Sequence, residues 1–212
     1  LMLQTGVQMT DADFSRATFA RDGITGLTFY TRFADSTDRL YTWSDDHLPS
    51  RDAFANGEVG MIFDYADALP VLKAKNPFLR LGIAPMPQSD GVTQRVDYAR
   101  YMALAVAVTS KEPAVAWDFI NFFTTQPEII SLYLNAAHRP PALRALVPAY
   151  KNEPELGVFV EQVLTARSWP QGDDRVVEDT FSTMIADVAT KRFTEIKAIQ
   201  AAEDRVTQTM KR

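Results

Sequence analysis

Residues 53–66, Ala-Phe-Ala-Asn-Gly-Glu-Val-Gly-Met-Ile-Phe-Asp-Tyr-Ala, restrict the possible folds more than any other stretch of this 212-residue chain. They read as the end of a short helix, a glycine stop, a buried strand and a polar turn. Ser50 is placed to cap the helix, and Gly57 stands where a helix end needs a residue that tolerates the left-handed conformation. Val59 to Phe63 is an apolar run of strand length. Asp64, Tyr65 and Asp67 follow at once. Hydrogen-bonding and stacking groups of this kind collect at the carboxyl ends of strands in open α/β sheets.

The rest of the pattern predicts an α/β chain rich in helix. Ile24, Leu27, Tyr30 and Phe33 form an apolar stripe at helical spacing, and a loop over 35–49 holds Tyr41, Trp43 and His47. Residues 66–75 read as a helix with Pro70 near its start, so that a kink or a later beginning is expected. Leu79 to Ala84 and Tyr101 to Val108 read as strands, joined by a loop from Pro85 to Arg100. Ser110 is expected to cap a helix with Pro113 in its first turn, with Val115, Phe119, Phe122 and Phe123 as its buried stripe and Trp117 in the core. Further helices are expected from Pro127 to about Ala137, from Pro154 to Ala166, from Asp173 or Asp174 through Val188, and from Thr194 to Lys211. Ile196, Ile199, Val206 and Met210 are expected to turn the last of these inward.

Composition narrows the function classes. With 46% hydrophobic and 23% charged residues the chain can build a core, and its net charge of −5 argues against a nucleic-acid partner, which demands a basic face. No cysteine occurs, and His47 and His138 are the two histidines, so a Cys–His nucleophile or a histidine-rich metal site is excluded. Neither a Gly-x-Ser-x-Gly elbow nor a phosphate-cradling glycine loop is present, and no cofactor is expected. A carboxylate-pair glycoside hydrolase remains an alternative, although no Asp/Glu pair has distinguishing context. The longest apolar run, Met102 to Val108, falls far short of the ~20 residues that span a bilayer.

Several blocks carry a resemblance. Phe54-x-x-Gly57-x-x-Gly60-Met61, with a glycine where alanine is usual, is preceded by Leu27-Thr-Phe-Tyr-Thr-Arg-Phe33. It is followed by Leu81-Gly-Ile-Ala-Pro-Met-Pro87, Tyr101 to Lys111, Ala116-Trp-Asp-Phe-Ile-Asn-Phe-Phe123 and Arg139-Pro-Pro-Ala-Leu-Arg144. In this order they resemble the extracytoplasmic family 1 solute-binding proteins of ABC importers, the branch that includes maltose-binding protein. The resemblance implies a periplasmic-binding-protein type II-like C-terminal lobe, formed by residues 1–98 and 151–212. Residues 99–150 would be the hinge crossover and a segment completing the N-terminal lobe, the rest of which would lie outside this chain together with the export signal. The place of action would be periplasmic or extracellular and membrane-associated, with an ABC permease as partner. Without the other lobe, the apolar surface over 114–123 would lose its cover. Each buried aromatic contributes about 1.5–3 kcal/mol, so the isolated chain is expected to self-associate through this segment, rearrange it, or order it weakly.

The expected ligand is a small molecule, most simply a sugar, which aromatic faces hold by its C–H surface and carboxylates or arginine by its hydroxyls. Asp64, Tyr65 and Asp67 fall where the family places ligand contacts; alternatively Asp64 caps the next helix and Tyr65 packs on it. Tyr98, Arg100 and Tyr101 precede the crossover strand, with core packing and a solvated charge as the alternative. Trp169, in the loop Arg167-Ser-Trp-Pro-Gln-Gly172, stands where sugar-binding relatives carry a stacking aromatic, and Trp43 has the same loop character. His138 and Arg139 are expected to stabilise the turn before Pro140 and Pro141. A sensor or adhesin module on the same fold is the other binding function to separate from transport.

Overall fold

The computed structural model describes residues 1–92 and 94–210; Lys211, the expected end of the last helix, lies outside them. Nine helices follow one another among these residues: α1 Ala20–Thr31, α2 Ser50–Ala55, α3 Ala68–Lys75, α4 Pro113–Thr125, α5 Pro127–Ala137, α6 Val147–Tyr150, α7 Gly157–Val163, α8 Asp174–Ala189 and α9 Glu195–Met210. Two short strands, β1 Asp97–Tyr98 and β2 Ala166–Arg167, pair with each other. The chain divides into two compact units. The first comprises residues 1–47, 88–96 and 167–212, and the second residues 48–87 and 97–166. Residues 48–87 thus gather with the 99–150 segment.

In the first unit α1, α8 and α9 enclose a core in which Phe19, Ile199 and Val206 are fully buried and Leu27, Val177 and Met184 nearly so. Asp173 opens α8, its carboxylate accepting the Arg175 and Val176 N–H groups, and so satisfies donors that a helix start otherwise leaves unpaired. Glu203 of α9 reaches across to accept the Ala20 N–H at 2.5 Å, doing for α1 what its own N-cap residue Phe19 cannot. A β-carbon on Gly23 would lie 3.1 Å from the Ile199 Cδ1 and from the Met2 sulfur, so this glycine admits α9 and the N-terminal turn against α1. Ile196, expected inward, is instead exposed. At 100° per residue it falls ~60° from Ile199, on the side away from the buried arc of Ala198, Ala202 and Val206.

The second unit is centred on Ala66, Leu134, Leu146, Tyr150, Leu156 and Val160, drawn from the turn before α3 and from α5, α6 and α7. The Tyr150 hydroxyl donates to Asn135 Oδ1 at 3.1 Å, so the buried phenol keeps a polar partner. Pro127 opens α5 and His138 closes it in a left-handed conformation, φ 50°. The helix expected from Pro154 begins three residues later, since 153–156 form a turn in which the Gly157 N–H bonds to Glu153 O at 2.8 Å.

Three expectations fail here for a common reason. Val59–Phe63, Leu79–Ala84 and Tyr101–Val108 are not strands; among the described residues the only ladder is β1 with β2. A strand forms when a neighbour takes its N–H and C=O groups. These runs also expose their apolar side chains, Met61 at 90% and Val108 fully. Leu79–Ala84 does retain strand-like alternation of half-buried and exposed residues. The stripe on α4 is exposed as well. Among the described residues of that helix none is buried, and Val115, Trp117, Phe119 and Phe122 are each more than half exposed, against the expectation that they form a core. Ser50 and Ser110 do not cap. Pro49 takes the N-cap position of α2 and its carbonyl accepts from Asp52 and Ala53, whereas Ser110 closes a turn on Ala107, ahead of Glu112 at the start of α4. No helix among the described residues is long and apolar enough to cross a membrane.

Candidate functional site

Two groups of side chains have the make-up of a ligand site, one in each unit. In the second unit α2 ends at Ala55, Gly57 turns the chain at φ 79°, and residues 58–63, neither helix nor strand, lead to the turn before α3. This returns Asp64 to Arg51, which donates through Nε at 2.6 Å and Nη2 at 2.7 Å to the two carboxylate oxygens. Asp64 Oδ1 also accepts the Tyr65 N–H at 2.8 Å. The pair is a two-pronged, charge-assisted link, and it raises the Arg51 guanidinium above its ordinary range. Three residues on, Asp67 stands at the N-cap of α3 but spends its side chain elsewhere, accepting from Arg139 Nη2 at 3.0 Å. Two Asp–Arg pairs therefore flank Tyr65, whose ring remains 40% exposed.

Behind this turn a second polar cluster ties α3 to the end of α5. Glu155 accepts from Lys73 Nζ and lies 3.3 Å through Oε2 from His138 Nε2. The Lys73 ammonium first, and then His138, hold the Glu155 carboxyl below the ordinary glutamate range. A carboxylate lowered in the folded state stabilises that state above its unfolded pKa, and the contribution disappears as pH falls through the lowered value. Glu155→Gln should therefore flatten the acid limb of the unit's melting temperature against pH, with its largest deficit from wild type near neutral pH and the two proteins converging in acid. Unfolding curves of the two proteins between pH 3 and pH 7 check this, and identical slopes in acid would dissociate Glu155 from the acid response.

Tyr98 lies in β1 and Tyr101 three residues beyond it; both rings are exposed, as is Arg100. The strand is steadied at its start by Asp97, whose carboxylate accepts the Thr165 hydroxyl at 2.6 Å.

In the first unit Trp169 follows β2 and packs on the helical core, its ring centroid 6.5 Å from that of Phe181, which in turn lies 5.2 Å from Phe19. Its free side lines an open hollow of about 360 Å³ with Leu3, Val7, Met9, Phe14 and Pro170, and Gln8, Asp11 and Ser168 at polar positions. Trp43 stacks on His47 with centroids 4.6 Å apart, in a loop tied back by its N–H to Phe33 O at 3.1 Å.

The turn Asp64–Asp67 is thus one local group, joined by Arg51 and Arg139. Trp169 and Trp43 belong to the first unit, and Tyr98, Arg100 and Tyr101 to the second. Arg139 performs a turn role, its N–H bonding to Leu134 O at 3.3 Å, and pairs with Asp67 besides. Arg51, Phe14, Lys73 and Glu155 were not evident as site residues. Arg51 sits on a short helix with no partner in its own element, and Lys73 and Glu155 are 82 positions apart.

The model of the bacterial extracellular solute-binding protein family matches residues 1–158. The chain belongs to that family. Solved structures share the fold over 99% of the chain. An oligosaccharide periplasmic-binding protein, so assigned, from Synechococcus sp. MITs9220 matches with a TM-score of 0.72 at 18% identity. An ABC transporter solute-binding protein of Thermotoga lettingae TMO, bound with α-D-tagatose, matches at 0.69 and 20%. The cyclic α-maltosyl-1,6-maltose binding protein of Arthrobacter globiformis matches at 0.65 and 20%. The chain covers 57%, 54% and 54% of these three structures respectively, a little over half of each. No curated protein matches it significantly.

Proposed function

We propose that this chain is part of the substrate-binding subunit of an ABC importer and captures a carbohydrate outside the cytoplasm, with a membrane permease as its partner. The observation that carries the reading is the family match across residues 1–158; the carbohydrate is supported by the sugars named for the similar structures and by the exposed Tyr65 between two Asp–Arg pairs in this chain. In the first unit Trp43 and Trp169 supply ring faces; in the second Tyr65, Tyr98 and Tyr101 do so, with Asp67 and Arg100 as groups for hydroxyls. Asp64 contributes mainly by fixing Arg51 and the Tyr65 backbone, since Arg51 engages both of its oxygens.

In the complete protein, residues 1–98 and 151–212 would belong to the C-terminal lobe and residues 99–150 to the crossover and the other lobe, an assignment under which the core that joins Ala66, Leu156 and Val160 to Leu134, Leu146 and Tyr150 in this chain is repacked. The exposed stripe of α4 fits a surface that another lobe, or in isolation a second copy of the chain, covers. Capture is then a population shift: a sugar touching both lobes stabilises closure by its differential affinity for the closed and open states, with no covalent step. A thermal-shift screen of the complete natural protein against mono- and oligosaccharides, amino acids and polyamines tests the reading. A sugar present at a hundred times its Kd adds about 2.7 kcal/mol of stability, a plain rise in melting temperature. A rise with amino acids or polyamines alone would overturn the carbohydrate assignment.

A further inference from the structure

We propose that the hollow between Phe14 and Trp169 in the first unit is a subsite for a single carbohydrate ring, with Phe14 as its second aromatic wall. The inference deepens the carbohydrate reading above and rests on it. Phe14 is a bulky residue held at φ 54°, in the left-handed region that side chains of this kind rarely adopt. The turn that holds it there is tied by the Asp11 carboxylate, which accepts the Ser15 N–H at 2.8 Å, the Ser15 hydroxyl at 2.7 Å and the Arg16 N–H at 3.3 Å. The Phe14 N–H closes the turn on Asp11 O at 3.2 Å. The result is a phenyl ring 56% exposed at the rim of a hollow, although Val7 and Met9, in the same N-terminal segment, are buried in the core beside it.

The hollow has the size and lining that one sugar ring needs. Its volume of about 360 Å³ lies at the small end of the ~300–1,000 Å³ range of ligand pockets. Phe14 and Trp169 offer faces for C–H surface, and Gln8 and Ser168 offer polar groups for hydroxyls. Asp11, with both carboxylate oxygens engaged by Ser15 and Arg16, serves the hollow by fixing the Phe14 turn.

The test uses the complete natural protein, with D-tagatose, maltose and the sugars of the screen as probes in calorimetric titrations of wild type, Phe14→Ala and Phe14→Tyr. Phe14→Ala should weaken sugar binding about tenfold, the scale of one lost stacking ring, and Phe14→Tyr should stay within about twofold because it keeps the face. Melting temperatures of both variants should stay close to wild type, since the ring is largely exposed. A sugar that binds wild type and Phe14→Ala equally overturns the subsite and leaves the carbohydrate reading standing. Absence of binding by every sugar in the panel overturns both.

Discussion

Phe19→Ala should lower the stability of the first unit by about 3–5 kcal/mol, the usual cost of emptying a fully buried aromatic site. Phe19 sits at the N-cap of α1, fully buried, with Phe181 tilted against it at 5.2 Å and Trp169 resting on Phe181 in turn. The loss therefore falls on the floor beneath the Trp169 hollow as well as on the α1–α8–α9 core. Denaturant unfolding followed by circular dichroism measures it. A loss under about 1 kcal/mol would mean that the neighbouring side chains collapse into the space, and that the aromatic series from the core to Trp169 is not a rigid support.

Trp169→Ala should weaken sugar binding by about 1–3 kcal/mol, a factor of ~5–150 in Kd, if its ring stacks on the ligand; the scale is that of base–aromatic stacking. Part of any effect could arise through the core, because the ring also touches Phe181. Trp169→Phe separates the two, since it keeps an aromatic face and most of the packing. Binding that falls steeply in the alanine variant and only a few-fold in the phenylalanine variant, with both folded, is the expected calorimetric result. An unchanged Kd in Trp169→Ala would make Trp169 a packing residue alone.

What could be read from the sequence was local and periodic. The bounds of α5 follow from Pro127 and from the end of its apolar pattern, and the cap of α8 follows from Asp173 ahead of the stripe at Val177, Met184 and Val188. Gly57 was placed by its left-handed backbone, which it adopts at φ 79°. What depended on a partner element was not legible. Val59–Phe63 has the composition of a strand, yet a strand exists only when another backbone lies beside it. Trp117 and Phe119 follow a core-like stripe, and the same stripe serves equally as a face awaiting cover. Ile196 shows the finer limit, because one apolar residue just off the buried arc of a helix breaks no periodic rule. Of the site, the ring-bearing turns were visible, whereas the Arg51–Asp64 and Arg139–Asp67 links join positions that no pattern pairs.

Reversible capture of a carbohydrate is tested by calorimetric titration of the complete natural protein with the best sugar of the screen, followed by mass spectrometry of the recovered sugar. Saturable binding near one sugar per protein is expected, weakened by Trp169→Ala, with the sugar recovered intact. Cleaved sugar after incubation would point instead to carboxylate-based hydrolysis, and the absence of saturable binding by any carbohydrate would overturn carbohydrate capture.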